Sequence, residues 1–146
     1  MKVLFWNTYK NANINSTICE LASENSASII VLAEYVANIN DLLSDLYLQY
    51  GIKMQQYYSC CERITMIGLI ENVEMRFDND HATIQIINEK DILCCTHLNS
   101  KIYSDHEAQR EIMIEQLMRE LIRINPSKKR LSSNSEIPTV QSEENE

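Results

Sequence analysis

An α/β fold is what this sequence predicts, and three observations predict it. A strand, a helix and a second strand succeed one another within about the first 35 residues. Short β-prone runs separated by polar turns then fill the middle of the chain. A single long amphipathic helix follows, from about Asp105 to Ile124.

The first strand is read at residues 2–7. Ile14, Ile18, Leu21 and Ala22 then recur at helical spacing, with Asn13 as the expected N-cap. Ser28 to Glu34 is apolar on both faces up to its last residue, which predicts a strand buried on both sides. Together these segments make a βαβ unit, expected to be parallel and right-handed. Asn38 with Asp41 caps a short helix that carries Leu42, Leu43 and Leu46.

Ile52–Tyr58, Arg63–Ile70, Val73–Phe77, Ala82–Ile87 and Asp91–His97 are the middle β-runs, and their spacing predicts an antiparallel meander. Asp78-Asn79-Asp80 and Asn88-Glu89-Lys90 are read as turns, because Asx residues favour them and the chain has only two glycines and two prolines. That assignment is preferred over a metal site at Asp78, Asp80 and His81. Tyr57 and Tyr58 are read as strand packing. In the last helix, Ile114, Leu117, Met118 and Leu121 form the expected apolar stripe, and Ser104 with Glu107 forms a capping box at its start. The capping position also accounts for the Ser104-Asp105-His106 string. Residues 1–124 are expected to form the domain. Residues 125–146, rich in Ser, Glu, Lys and Asn and without apolar periodicity, are expected to be a disordered polar tail.

Composition narrows the function classes. The formal charge is −8, and residues 125–146 carry three basic against four acidic side chains, so the excess lies in the body. Broad, sequence-independent adhesion to nucleic acid rests on a basic surface and is disfavoured. A phosphodiester substrate is still compatible, because a divalent cation supplies local positive charge. No apolar run approaches the ~20 residues that span a bilayer. No secretory signal is read, so no membrane association and a cytoplasmic location are expected. Five cysteines, two pairs of them adjacent, suggest neither a disulfide framework nor a zinc site. Cys94 and Cys95 are read as small buried hydrophobes.

Three strand-like runs close on chemically capable residues: Trp6-Asn7, Ala33-Glu34 and Thr96-His97. An amide, a carboxylate and an imidazole at neighbouring strand ends could hold a metal ion and a phosphate.

In this order, with Thr96-His97-Leu98 after the middle strands and Gln109-Arg110 on the helix, the sequence resembles the N-terminal part of the endonuclease/exonuclease/phosphatase superfamily. Deoxyribonucleases and exonuclease III-like enzymes belong to it. The resemblance covers about residues 1–124. It implies a four-layer α/β sandwich with mixed sheets, truncated here at its C-terminal side, and Mg²⁺- or Mn²⁺-dependent hydrolysis of phosphoesters, as in a nuclease or phosphatase. It assigns metal binding to Glu34, support of the metal and the scissile phosphate to Asn7, and phosphate contact with assistance to the leaving group to His97. Ala33 stands where the family has Gln, and the family's later motifs, which carry the general base, have no counterpart after Arg123. Two functions are therefore carried forward: a metal-dependent phosphodiesterase, with nucleic acid among its substrates, and a catalytically inactive binding or interaction module. For the second, a partner chain or self-association would cover the missing part of the fold.

Overall fold

The structure, a computed structural model, describes residues 1–97 and 105–124. The elements in chain order are β1 (Val3–Asn7), α1 (Asn15–Glu24), β2 (Ile29–Ala33), α2 (Ile39–Tyr50) and β3 (Gln55–Tyr57), followed by β4 (Ile64–Gly68), β5 (Val73–Asn79), β6 (Ala82–Ile87), β7 (Asp91–Thr96) and α3 (Asp105–Ile124). They build two sheets. The first, ordered β1-β2-β4-β3, is mixed: β1 and β2 are parallel, and β4 runs antiparallel to both of its neighbours. The second, β5-β6-β7, is an antiparallel meander.

The layers follow from which side chains alternate to which face. Ile30 and Leu32 of β2 and Ile67 of β4 pack against Ile18, Ala22, Leu42 and Leu46 of α1 and α2. From the opposite face Ile29, Val31, Ile64 and Met66 meet Ile87, Leu93 and Cys95 of the second sheet. That sheet's outer face, with Phe77, Ala82, Ile84 and Ile92, is covered by Leu117, Leu121 and Ile124 of α3. Helices, sheet, sheet and helix thus form a four-layer α/β sandwich. Each fully buried Leu or Ile in these seams contributes roughly 1.5–3 kcal/mol through removal of apolar surface from water. Among the described residues, no helix is long and apolar enough to cross a membrane.

Several expectations need correction. The middle strands do not form one meander: β3 and β4 join the first sheet, and only β5–β7 form the second. Ile64-Thr65-Met66-Ile67 supplies apolar side chains to both faces, which suits a central strand between β2 and β3. Asn13 is not the cap of α1. Ile14 occupies that position without a side-chain hydrogen bond, while the Asn13 N–H donates to Asn11 Oδ1 at 2.9 Å in the preceding turn. Asn38 does cap α2, accepting from the N–H groups of Asn40 and Asp41 at 2.9 and 3.4 Å. On α3, Ile114 and Met118 are 45% and 54% exposed. At 100° per residue they lie roughly 60° and 100° round from Leu117, on one flank of the contact line through Leu117, Leu121 and Ile124. Cys95 is buried but Cys94 is exposed, because β7 alternates between the two faces of an edge strand. Tyr57 is likewise buried while Tyr58 is exposed. The turn after β5 begins later than expected: Asp78 and Asn79 are still strand, and Asn79 Oδ1 accepts from the N–H groups of His81 and Ala82, both at 2.9 Å. Ser104, Leu98 and the tail at 125–146 lie outside the described residues.

Gly68 in β4 exposes one packing constraint. A Cβ there would come within 2.8 Å of Tyr57 Cζ. The Tyr57 hydroxyl meanwhile donates to the Ile70 carbonyl at 2.9 Å and accepts the Ile70 N–H at 3.1 Å. Gly68→Ala is therefore expected to lower stability in urea unfolding by about 1–3 kcal/mol, the usual cost of overpacking. A variant as stable as the parent would mean that the Tyr57 ring does not lie across Gly68.

Candidate functional site

The site is built outward from the end of β2. Parallel pairing sets Asn7 in register with Ala33, so β1 and β2 finish side by side. The chain then turns sharply at Glu34, whose φ of 53° lies in the left-handed region. A residue with a Cβ is held there only by its surroundings, at a cost on the order of 1–3 kcal/mol. Here three partners hold it. The Glu34 N–H donates to the Arg63 carbonyl at 2.9 Å. The Glu34 carbonyl accepts from the buried Thr8 hydroxyl at 2.8 Å and from the Lys10 N–H at 3.1 Å. Thr8 also donates its N–H to the Ala33 carbonyl at 2.9 Å. Tyr9 and Lys10 share the left-handed conformation, with φ of 49° and 59°.

His97 arrives from the other sheet, just past the end of β7. Its N–H donates to the His81 carbonyl at 2.7 Å, which fixes the backbone against the β5–β6 turn. Its Nε2 lies 3.2 Å from Glu34 Oε1, although the two residues are 63 positions apart in the chain. Both side chains are mostly enclosed, 16% exposed for His97 and 27% for Glu34. On the far side of the ring, Nδ1 lies 3.5 Å from Arg63 Nη1. These two contacts favour one tautomer of the ring. Guanidinium can only donate, so Nδ1 accepts; an ionised carboxylate can only accept, so Nε2 carries the hydrogen. The ring is thus held between a guanidinium and a carboxylate, with Nε2 facing the carboxylate.

Glu34 and His97 are thus brought together. Asn7 reaches the same strand-end edge through its register with Ala33, but among the described residues its side chain makes no hydrogen bond to either. Its Oδ1 accepts the Tyr9 N–H at 3.0 Å and so stabilises the loop that carries Thr8 and Lys10. Asp78, a turn residue by sequence, accepts from Ser59 Oγ at 2.8 Å and from the Cys60 N–H at 2.5 Å, which ties that turn to the segment before β4.

Thr8 and Arg63 belong to the site and sequence reasoning passed over both. Each has one local signal, in that Thr8 directly follows the strand-end Asn7 and Arg63 directly precedes β4. Neither signal says that their backbones meet at Glu34.

No cysteine is set up as a nucleophile. Burial pushes the Cys95 thiol to about 12 and, with Asp45 nearby, the Cys19 thiol to about 11. Burial also raises Cys61 and Cys94, while hydrogen bonding to the Asp78 carboxylate raises Cys60. An activated thiol needs the opposite shift.

The donor set suits a hard cation in one limited sense. Mg²⁺ is commonly held by one or two carboxylates, with waters and substrate oxygens filling its remaining positions. Glu34 offers one partly exposed carboxylate. Among the described residues, no cluster of three or more His, Cys, Asp or Glu side chains could enclose a metal ion. Any cation here would depend on water and substrate for most of its ligands.

Compared with known proteins, the sequence matches no family model, and no curated protein is significantly similar to it.

The proton assignment is directly measurable. ¹⁵N NMR of the imidazole is expected to show the Nε2–H tautomer at His97, shifting toward a mixture in Arg63→Ala. A dominant Nδ1–H form in the parent protein would contradict the arrangement.

Proposed function

We propose that this protein is a metal-dependent phosphodiester hydrolase of the endonuclease/exonuclease/phosphatase type, with nucleic-acid-like diesters as its substrates. One observation carries the reading: a carboxylate and an imidazole from different sheets, 63 positions apart, meet at 3.2 Å at the strand ends. In an ordinary surface pair neither partner would need a strained backbone, yet Glu34 is held in one by three hydrogen bonds.

In this reading Glu34 and the Asn7 amide oxygen would hold Mg²⁺ or Mn²⁺, whose charge would polarise the phosphoryl oxygen. His97 presents a donor N–H that exchanges the Glu34 carboxylate for a phosphate oxygen as substrate enters. From there its N–H can stabilise charge on a phosphate or leaving-group oxygen by hydrogen bonding, with no proton given up. Arg63 keeps the ring in that tautomer from behind. The acidic chain, at −8 overall, disfavours tight non-specific binding, so the cation and these few groups carry recognition of the phosphate.

A second reading, an interaction module without catalysis, is favoured by the β1 edge. Val3 and Phe5 are 42% and 63% exposed there, on an outer strand with no neighbour on one side among the described residues.

Hydrolysis of an activated aryl phosphodiester and of single-stranded DNA separates the two readings. Turnover is expected with Mg²⁺ or Mn²⁺, to vanish with a chelator, to fall to background in Glu34→Gln, and to drop roughly 10²-fold in His97→Asn. No metal-dependent turnover of any diester would overturn the hydrolase and favour the module.

A further inference from the structure

Beside the Glu34–His97 pair lies a separate cavity of about 310 Å³, lined by Cys60, Glu62, Arg63, Asp80 and His81. It shares two walls with the site. Arg63 reaches His97 Nδ1 at 3.5 Å, and the His81 carbonyl accepts the His97 N–H at 2.7 Å. A substrate whose phosphate met His97 has this cavity as a neighbour through Arg63 and His81.

The walls are built in advance. Asp78 ties the turn to Ser59 and Cys60, at 2.8 and 2.5 Å. Cys61 Sγ donates to the Asp80 carbonyl at 3.2 Å, and Asn79 Oδ1 closes the turn through His81 and Ala82. These contacts use the carboxylate of Asp78 but only the backbone of Asp80, so among the described residues no hydrogen bond occupies the Asp80 side chain.

The chemistry of the lining selects the occupant. One guanidinium stands against two carboxylates, Glu62 and Asp80, so the lining is acidic on balance and repels a second phosphate. It offers instead a donor fork beside acceptors. That pairing suits a neutral ring carrying N–H donors next to carbonyl and ring-nitrogen acceptors. Guanine fits it, because its O6 and N7 accept from a guanidinium fork while its N1–H and N2–H groups donate to carboxylates. The volume falls at the low end of small-molecule pockets, roughly 300–1,000 Å³, and admits a single base.

We propose that this cavity is a nucleobase subsite, selective for guanine, that seats the base next to the phosphate held at His97. The assignment rests on the phosphodiester reading above, but its test needs no metal and no cleavage. Metal-free protein is titrated separately with guanosine, adenosine, cytidine and inorganic phosphate, followed by amide NMR. Guanosine is expected to produce saturable shifts confined to Cys60–Arg63 and Asp80–His81. Adenosine should bind about tenfold more weakly, and Asp80→Asn and Arg63→Gln should each weaken guanosine by about tenfold, the scale of one lost base contact. Glu62→Gln, at an exposed position that the fold does not use, controls for folding and should weaken it as well. If no nucleoside moves these amides, or if phosphate moves them and guanosine does not, the subsite is overturned. Guanosine binding without diester hydrolysis would remove the proposed activity and leave the subsite standing. Hydrolysis without guanosine binding would do the reverse.

Discussion

Everything at the candidate site depends on the backbone of Glu34, turned left-handed at the end of the most deeply buried strand. All five residues of β2 are buried, with β1 on one side and β4 on the other, so its end is clamped from both sides. The three hydrogen bonds that fix Glu34 come from the segments beside those two neighbours: Thr8 and Lys10 after β1, and Arg63 before β4. The register of the sheet and the strain at one residue are therefore a single constraint. A slip of β1 by one residue would withdraw Thr8 and leave nothing to hold the turn.

The second sheet contributes through packing. His97 meets Glu34 because Ile29, Val31, Ile64 and Met66 hold Ile87, Leu93 and Cys95 against the first sheet. This seam also carries polar side chains. Thr83 and Gln85 are essentially inaccessible, and Gln85 Nε2 donates to the Tyr58 carbonyl at 2.9 Å, linking β6 to the segment after β3. Among the described residues, Thr83 Oγ1 and Gln85 Oε1 have no hydrogen-bond partner. A buried polar group left in that state costs about 1–3 kcal/mol, a cost the surrounding apolar burial must offset. The site is thus seated where two sheets of different construction are pressed together.

Much of this was legible in the amino-acid order. Runs such as Ile29–Ala33 and Ala82–Ile87 announce their strands because strand period and apolar content agree, and Asn38 announces a helix start because its side chain caps one. The strand-end positions of Asn7, Glu34 and His97 were legible for the same reason. Side-chain direction was not. Ile14 displaced Asn13 at the start of α1 because an Asx turn at Asn11 used the preceding amide. Ile114 and Met118 look apolar in sequence, yet only the docking angle of α3 decides which flank meets β6. β3 and β4 read as meander strands because sheet membership depends on pairing between distant segments. Arg63 and Thr8 were missed because they act on Glu34 largely through backbone and hydroxyl groups that any local pattern leaves unmarked.

In the proposed function, Asn7, Glu34 and His97 would surround one cation-and-phosphate position at the rim of the two sheets. Titration of the ¹⁵N-labelled protein with Mn²⁺ tests it most directly, because the paramagnetic ion broadens only nearby resonances. Selective loss of signals from residues 7–10, 33–35, 63 and 97 is expected, abolished in Glu34→Gln. Broadening centred elsewhere, or unchanged by that substitution, would contradict it.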